Sequence, residues 1–503
     1  MRTLLEYLDN TASLYPDKLA FAGGDGREHD LTFSELNALS FRIGSFLAGK
    51  GFFRQPVAIL MEKSPEEVSA FFGTWRAGCF YVPLDAEMPK LRMLKIMEHV
   101  APKALIYDES LQELALELAG KQEGSVAVSY AEAAACGEAP ELLQTVRDRV
   151  LDIDPAYIVF TSGSTGMPKG VVANHRSVID YIETLDDSLG CSEQSVFASQ
   201  TPLYFDACLK EVITVIRCGA TAWFVPKKLF MLPVQLVEYL NEHQVNIICW
   251  VVSALTFISS LKTFEKLTPK TLRTIAFGSE VFPKKQFALW REACPEAAFF
   301  NLYGPTECTG MSCFYKLERE LSEEEPIPIG RPFPNTEVLL IKEDGTPAGE
   351  GEEGEICLRG TCVTMGYYGD PLRTAEAFVQ NPLQKAYAET IYKTGDIGKY
   401  NGYGELVFIS RKDRQIKHMG HRIELGEIEA AGDQLEGITE CAAVYDNEAH
   451  KIRFYYSGDI DKGSAVVGLK ELLPRYMVPN VTTKLDRLPH TPNGKIDRKA
   501  LKQ

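Results

Sequence analysis

A chain of 503 residues is too long for one hydrophobic core and is predicted to divide into two or more domains. Apolar residues make up 45% and charged residues 24%, the balance of a soluble globular protein. The net charge of −16 excludes nucleic acid as a partner, because phosphate contacts need a basic stripe. No run approaches the ~18 apolar residues of a membrane helix, which excludes a membrane-spanning role.

The start, MRTLLEYLDNTASLYPDK, lacks the basic, apolar and small-residue segments of a secretory leader. It reads as an amphipathic helix with Leu4, Leu5, Leu8 and Leu14 on or near one face, and a cytoplasmic location is predicted. VAILM (57–61) reads as a strand, and SPEEVSAFFGTWRAG (64–78) as a helix opened by a capping box of Ser64 and Glu67. Further short apolar runs follow: ALIYD (104–108), AYIVF (156–160), TAWFVP (221–226), NIICWV (246–251) and LRTIAFG (272–278), with a helix-like PVQLVEYLNEHQ (233–244) among them. Such alternation predicts βαβ units and an α/β fold of stacked, mainly parallel sheets. From about 335 to 410, Asp-Gly and Gly-Glu-Gly turns predict an antiparallel, barrel-like β insert. The charged segment SRKDRQIKHMG (410–420) marks the best boundary, giving a core over 1–410 and a small α+β domain over 411–503. Residues 412–503 carry 15 Lys/Arg against 14 Asp/Glu, so the acidity lies in the larger part.

Twelve cysteines are scattered without a C-x-x-C pair, which predicts buried thiols in a reducing compartment. Eight histidines form no H-x-x-x-H pair, and no transition-metal site is predicted. The stretch TSGSTGMPK (161–169) carries the first chemistry. Gly163, Gly166 and the following Gly170 allow close backbone approach, Thr161, Ser162, Ser164 and Thr165 supply hydroxyls, and Lys169 adds a cation. This composition suits either an anion-binding nest or a mobile surface turn. It is not a Walker A loop, because Pro168 precedes Lys169 and disfavours helix at Met167.

TSGSTGMPKG closely resembles the phosphate-binding signature of the adenylate-forming superfamily, which includes acyl-CoA synthetases, luciferases and the adenylation domains of nonribosomal peptide synthetases. The family's other motifs follow in order: LTFSELN (31–37), AGCFYVPLD (77–85), YFDACLKE (204–211), NLYGPTE (301–307), GEICLRG (354–360), YKTGD (392–396), SRKDRQIKHMGHRIELGEIE (410–429), LPRYMVP (473–479) and PNGKIDR (492–498). Within the superfamily the chain looks most like stand-alone amino-acid adenylation domains and D-alanine–carrier-protein ligases, either free-standing or excised from a larger synthetase.

The resemblance implies ATP-dependent activation of an amino acid as aminoacyl-AMP with release of pyrophosphate. Transfer to the phosphopantetheine thiol of a carrier protein would follow. It implies an ATP site built from Thr161, Ser162, Gly163, Ser164, Thr165, Gly166 and Lys169, with Gly278, Ser279, Glu280, Asn301, Leu302, Tyr303, Gly304, Thr306, Glu307, Asp396, Ile409, Arg411 and Lys495. Glu307 would hold Mg²⁺, Tyr303 would stack on adenine, Asp396 would bind the ribose hydroxyls, and Arg411 would assist at the ribose or phosphate. Lys495, Glu307 and Thr161 are the implied catalytic residues. Lys495 would offset repulsion between the attacking carboxylate and the α-phosphate.

In the family the C-terminal domain delivers that Lys and then rotates about a hinge matching Asp413. Rotation brings the HMGHR segment to the site, with Gly420 leaving room for the pantetheine thiol. Phe205 would lie over the reacting carboxylate, and Asp206 would pair with the substrate ammonium. Ala207, Lys210, Cys249, Ile275, Phe277, Leu302, Gly310 and Met311 complete the implied pocket. Lys210 either pairs with an acidic substrate side chain, glutamate or aspartate, or pairs with Asp206 four residues earlier. Ser410 and Met419 depart from the family's usual Gly and Arg. Cys249 and Phe277 suggest a tight pocket that also suits a nonproteinogenic or D-amino acid. An acyl- or aryl-CoA synthetase is the alternative enzyme, for which Asp206 is awkward. An inactive nucleotide-binding scaffold is the non-enzyme alternative.

Overall fold

The computed structural model describes residues 3–23, 30–163, 167–322, 325–491 and 496–502. The apolar runs become the strands of two large sheets. The first has six strands, in the order Val126–Ser129, Ala104–Tyr107, Pro56–Leu60, Phe80–Pro83, Pro155–Thr161 and Lys169–Asn174. All neighbours are parallel except the last pair. The second has nine strands, with Val196–Ser199, Thr221–Phe224, Ile247–Val251, Thr274–Gly278 and Ala298–Tyr303 parallel at its centre. These strands read as unbroken apolar runs because both faces are covered. In Pro56–Leu60, Val57 and Ile59 join the core between the sheets, while Ala58 and Leu60 join a core on the opposite face.

The shared core holds the two sheets together through the helices Phe33–Gly49, Pro65–Arg76, His175–Leu189 and Leu209–Cys218. Trp75 is fully buried there, and its indole N–H donates to the Ala156 carbonyl at 2.7 Å, tying a helix to the strand that leads into the glycine-rich turn. The helix over 65–76 begins as the sequence suggests, with the Glu67 N–H donating to the Ser64 hydroxyl. Glu67 does not complete the box, because its side chain is buried in the protein. The reciprocal box forms instead at Thr32 and Glu35, within LTFSELN. The first helix, Leu5–Leu14, buries Leu4, Leu5 and Leu8, but Leu14 at its end is 70% exposed.

Residues 336–411 form a five-stranded antiparallel sheet. Beyond it lie a hairpin of Gln415–His418 and His421–Glu424, the helices Leu425–Gly432 and Lys462–Leu472, and a three-stranded sheet. These last elements have their own apolar cluster, running from Ile423 to Met477. All twelve cysteines are free thiols, and nine are buried. No helix among the described residues is long and apolar enough to cross a membrane.

Replacing Trp75 with Ala removes a buried indole and orphans the Ala156 carbonyl. Urea unfolding is expected to show a loss of about 3–5 kcal/mol.

Candidate functional site

The motif residues collect where the parallel strands of both sheets end, the usual position for a ligand crevice in open α/β sheets. Thr161, Val251, Gly278 and Tyr303 are the last residues of their strands. Close strand packing explains two of the glycines. A Cβ on Gly278 would strike the Leu302 carbonyl, and one on Gly304 would strike the Gly310 carbonyl. Ser279 turns the chain with φ +69°. The Asn301 amide is spent on the Pro328 carbonyl at 2.8 Å, Leu302 is buried, and Ile409 is half-exposed.

On one side of the crevice the buried Tyr303 hydroxyl donates to Asp396 Oδ2 at 2.6 Å, and Arg411 Nη1 donates to Asp396 Oδ1 at 2.6 Å. The rest of the Arg411 guanidinium grips Asp413 at 2.8 and 2.6 Å. Tyr303, Asp396, Arg411 and the hinge candidate Asp413 are therefore one connected set. The Lys417 ammonium lies 5.7 Å from the Tyr303 ring centroid.

On the other side Glu307 is completely buried and accepts from the Tyr367 hydroxyl at 2.8 Å and Arg422 Nη1 at 2.7 Å. Burial opposes its charge, but Arg422, Lys169 and Tyr367 more than offset that and hold the carboxyl at about 2. Thr161 Oγ1 is buried with no hydrogen-bond partner among the described residues. Ser162 donates to the Arg422 carbonyl at 2.9 Å, and the Gly163 N–H donates to Glu427 Oε2 at 3.1 Å. Lys169 lies 3.8 Å from Glu424, and burial followed by the nearby Arg422 lowers its pKa. Glu427 also pairs with Arg92 in a buried contact. The groups of the glycine-rich turn thus face carboxylates of the C-terminal segment, which is anion binding with protein groups as the anions. Glu280 accepts from the Ser253 and Gly420 N–H groups at 2.8 and 2.9 Å, so it anchors the hairpin tip.

Ser164, Thr165, Gly166 and Lys495 lie outside the described residues. The neighbours of Lys495 are placed: Ile496 bridges His490 and joins the cluster of Ala442, Val444 and Leu488. The C-terminal group that reaches Glu307 is Arg422.

The substrate pocket needs one correction. Cys249, Leu302 and Met311 share the core between the sheets, whereas Ile275 and Phe277 point into the core on the other face, with Trp250 and Phe287. Successive strand residues alternate faces, so a one-residue offset in matching LRTIAFG exchanged the two sides. Ala276, paired with Cys249 in register, and Gly278 occupy the pocket face.

The remaining positions converge. Asp206 is buried, and Thr306 and the Ala207 backbone hydrogen-bond to its carboxylate. Oδ2 has no partner among the described residues, and burial raises the carboxyl to about 6. Lys210 is buried and donates to the Ala207 carbonyl at 2.9 Å and Thr201 Oγ1 at 3.4 Å. Sequence reasoning missed Tyr157 and Tyr181. Both hydroxyls are buried without partners among the described residues, both rings sense the Asp206 charge, and Tyr181 sits 3.3 Å from where a Gly310 Cβ would be. It also missed Arg422, Glu424 and Glu427, although the charged run HRIELGEIE was their signal.

Residues 8–368 match the family described as AMP-binding enzyme. The chain is 32% identical to the L-proline--[L-prolyl-carrier protein] ligase of Streptomyces coelicolor, an alignment covering 98% of this chain and 94% of that protein. It is 31% identical to tyrocidine synthase 1 of Brevibacillus parabrevis over 99% of this chain, and it spans only 45% of that synthase. The Vibrio cholerae adenylation domain AlmE, solved with glycyl-adenosine-5'-phosphate, superposes with a TM-score of 0.84 at 22% identity. That alignment covers 99% and 97% of the two chains.

Two outcomes test the site. Glu307 titrates below its unfolded value, so the stability it contributes is fully present above pH 4.5 and lost as pH falls toward 2. The stability gap between wild type and Glu307→Gln, about 3 kcal/mol by this linkage, is expected to close over that window in denaturant titrations. For the pocket face, Ala276→Leu is expected to impair ligand binding by calorimetry. Ile275→Val, by contrast, is expected only to destabilise by about 0.5–1.5 kcal/mol.

Proposed function

Because the chain belongs to the AMP-binding enzyme family, we propose that it activates an amino acid as the aminoacyl adenylate and passes it to the thiol of a carrier protein. The observation that carries this reading is Asp206, a buried carboxylate with one oxygen unpartnered among the described residues, beside Phe205 and the Tyr157 and Tyr181 hydroxyls. A buried charge without a counter-ion is costly in a folded protein. A substrate α-ammonium supplies that counter-ion and places the α-carboxylate toward Glu307 and the glycine-rich turn.

The groups at the turn fit a nucleotide phosphate. Gly163 offers an N–H and Lys169 a cation, both facing carboxylates here, and the Thr161 hydroxyl has no partner among the described residues. Glu307 is the carboxylate that would hold Mg²⁺, which binds through one or two carboxylates plus phosphate oxygens and would neutralise phosphate charge there. Asp396 would bind the ribose hydroxyls and Tyr303 would stack on the adenine. Lys495 serves adenylation from a second orientation of residues 411–503 pivoting at Asp413, and the present orientation, with the 415–424 hairpin at the crevice, serves transfer.

The charge balance beside the pocket favours an acidic substrate. Lys63 is partly buried, donates to the Ser199 carbonyl at 2.8 Å, and is pushed down to about 8 by desolvation. Lys63 and Lys210 both act on the single buried carboxylate of Glu211. Glu67 adds no compensation, because burial and then Asp108 drive it well above the usual carboxylate range. No ion pair within 4.0 Å joins Asp206 and Lys210 among the described residues, although Lys210 acts on the Asp206 charge. Lys210 also acts on Cys249, and the side-chain carboxylate of glutamate or aspartate would pair with it there.

ATP–pyrophosphate exchange across the twenty amino acids tests both levels. Silence with glutamate and aspartate rejects the acidic substrate, and silence with all twenty rejects amino-acid activation. Lys495→Ala is expected to lower exchange about a hundredfold or more. Asp206→Asn is expected to abolish exchange. Because the Asp206 carboxyl titrates above its unfolded value, it costs stability as pH rises from 3.8 through 6. The same variant is therefore expected to be more stable at pH 7, by up to about 3 kcal/mol in denaturant titrations.

A further inference from the structure

Attack of a thiol on an acyl adenylate must dispose of the S–H proton; in the reading above Asp206 is taken by the substrate ammonium, and three other acidic residues around the crevice are engaged by protein groups. Glu307 is held by Arg422 and Tyr367, Asp396 by Tyr303 and Arg411, and Glu427 by Arg92 and Gly163. His421 is not engaged in this way. Its ring lies flat on Tyr476, with centroids 3.8 Å apart and planes at 9°, and edge-on to Phe205 at 5.2 Å. Its Nδ1 is buried without a hydrogen-bond partner among the described residues.

The hairpin fixes this position. His418 and His421 are paired across a two-residue turn in which Met419 has φ +53° and Gly420 φ +79°, the twist that matches a tight hairpin. The tip is seated by the Gly420 N–H donating to Glu280, and a Cβ on Gly420 would come within 2.7 Å of Val251 Cγ1. A rigid tip therefore delivers the imidazole to the residue beside Asp206.

Resting on the transfer reading above, we propose that His421 receives the thiol proton in the second half-reaction. The sulfur attacks the aminoacyl carbonyl carbon and the S–C bond forms. The C–O bond to the phosphate breaks, AMP departs with its electron pair, and the thiol proton passes to Nδ1 and then to water. Burial, followed by the neighbouring His418, holds the imidazole at about 4, so it is an unprotonated acceptor at neutral pH. Among the described residues the titratable and charged groups around it include Tyr476 on the segment Arg475–Met477, Tyr204 and Asp206 flanking Phe205, and His418 and Arg422 on its own hairpin. An acceptor this weak suffices because the mixed anhydride is already activated, and the proton need move only as the S–C bond forms.

The test uses the full chain, the amino acid that gives exchange, and free pantetheine as the thiol. Thioester formation is measured relative to exchange on each protein between pH 6 and 9. His421→Phe keeps a ring against Tyr476 and Phe205 but has no nitrogen. It is expected to lower the ratio at pH 7 about tenfold or more and to make it climb steeply with pH as the thiol ionises unaided. His421→Gln, which offers a hydrogen-bond acceptor but no basic nitrogen, is expected to lose as much as His421→Phe. A ratio within about twofold of wild type, with an unchanged pH dependence, overturns the role of His421. Exchange by wild type without thioester overturns the transfer reading and this proposal together.

Discussion

The Glu307–Arg422 pair is the contact on which the arrangement depends. It joins a fully buried carboxylate at the end of the large sheet to a mostly buried guanidinium on the C-terminal hairpin. Removing either partner would leave the other charged and desolvated, a change that typically costs about 3–5 kcal/mol. Around it the Ser162, Gly163 and Lys169 contacts with residues 422–427 are longer, at 2.9, 3.1 and 3.8 Å. These same groups fit a nucleotide phosphate. Ligand and C-terminal segment then draw on one set of donors, so their exchange is a competition between two anion sources for a single cradle.

Most of the fold was legible from apolar runs and turn residues. NIICWV and LRTIAFG are strands because β-branched and aromatic residues fill a surface covered on both faces. That double coverage also explains the error at Ile275 and Phe277. Where both faces are apolar, the sequence carries no alternation to say which side faces a pocket, and only pairing with Cys249 settles it. Ser64 and Glu67 fit the capping pattern equally well whether or not Glu67 is drawn into the interior. The competition between burial and capping was invisible in the sequence. The charged run HRIELGEIE marked out Arg422, Glu424 and Glu427, but not what they contact: their partners lie over a hundred positions away, and local sequence gives no measure of such contacts.

The substrate side of the crevice is organised by unfinished electrostatics. Among the described residues Asp206 lacks a partner for one oxygen, Tyr157 and Tyr181 lack partners for their hydroxyls, and Lys63 and Lys210 share Glu211. Each of these features costs folding free energy, and their clustering in one place separates a binding site from a core that would otherwise be packed apolar. The large shared core of the two sheets can tolerate that local deficit, because it buries aromatic side chains such as Trp75, Tyr81 and Phe72 almost completely.

Arg411 divides its donors between Asp396, in the large domain's sheet, and Asp413, at the start of the chain leading into the smaller one. A single side chain therefore spans the crossing point between the two bodies. Its bonds are charge-assisted, each worth about 1.5–3 kcal/mol, and directional because the guanidinium is planar. If the linker turns as proposed above, free swivelling is barred: the motion would have to break one of these forks, or carry the guanidinium with it and break the other. The connection would then act as a ratchet tooth, favouring a few discrete angles over a continuous range.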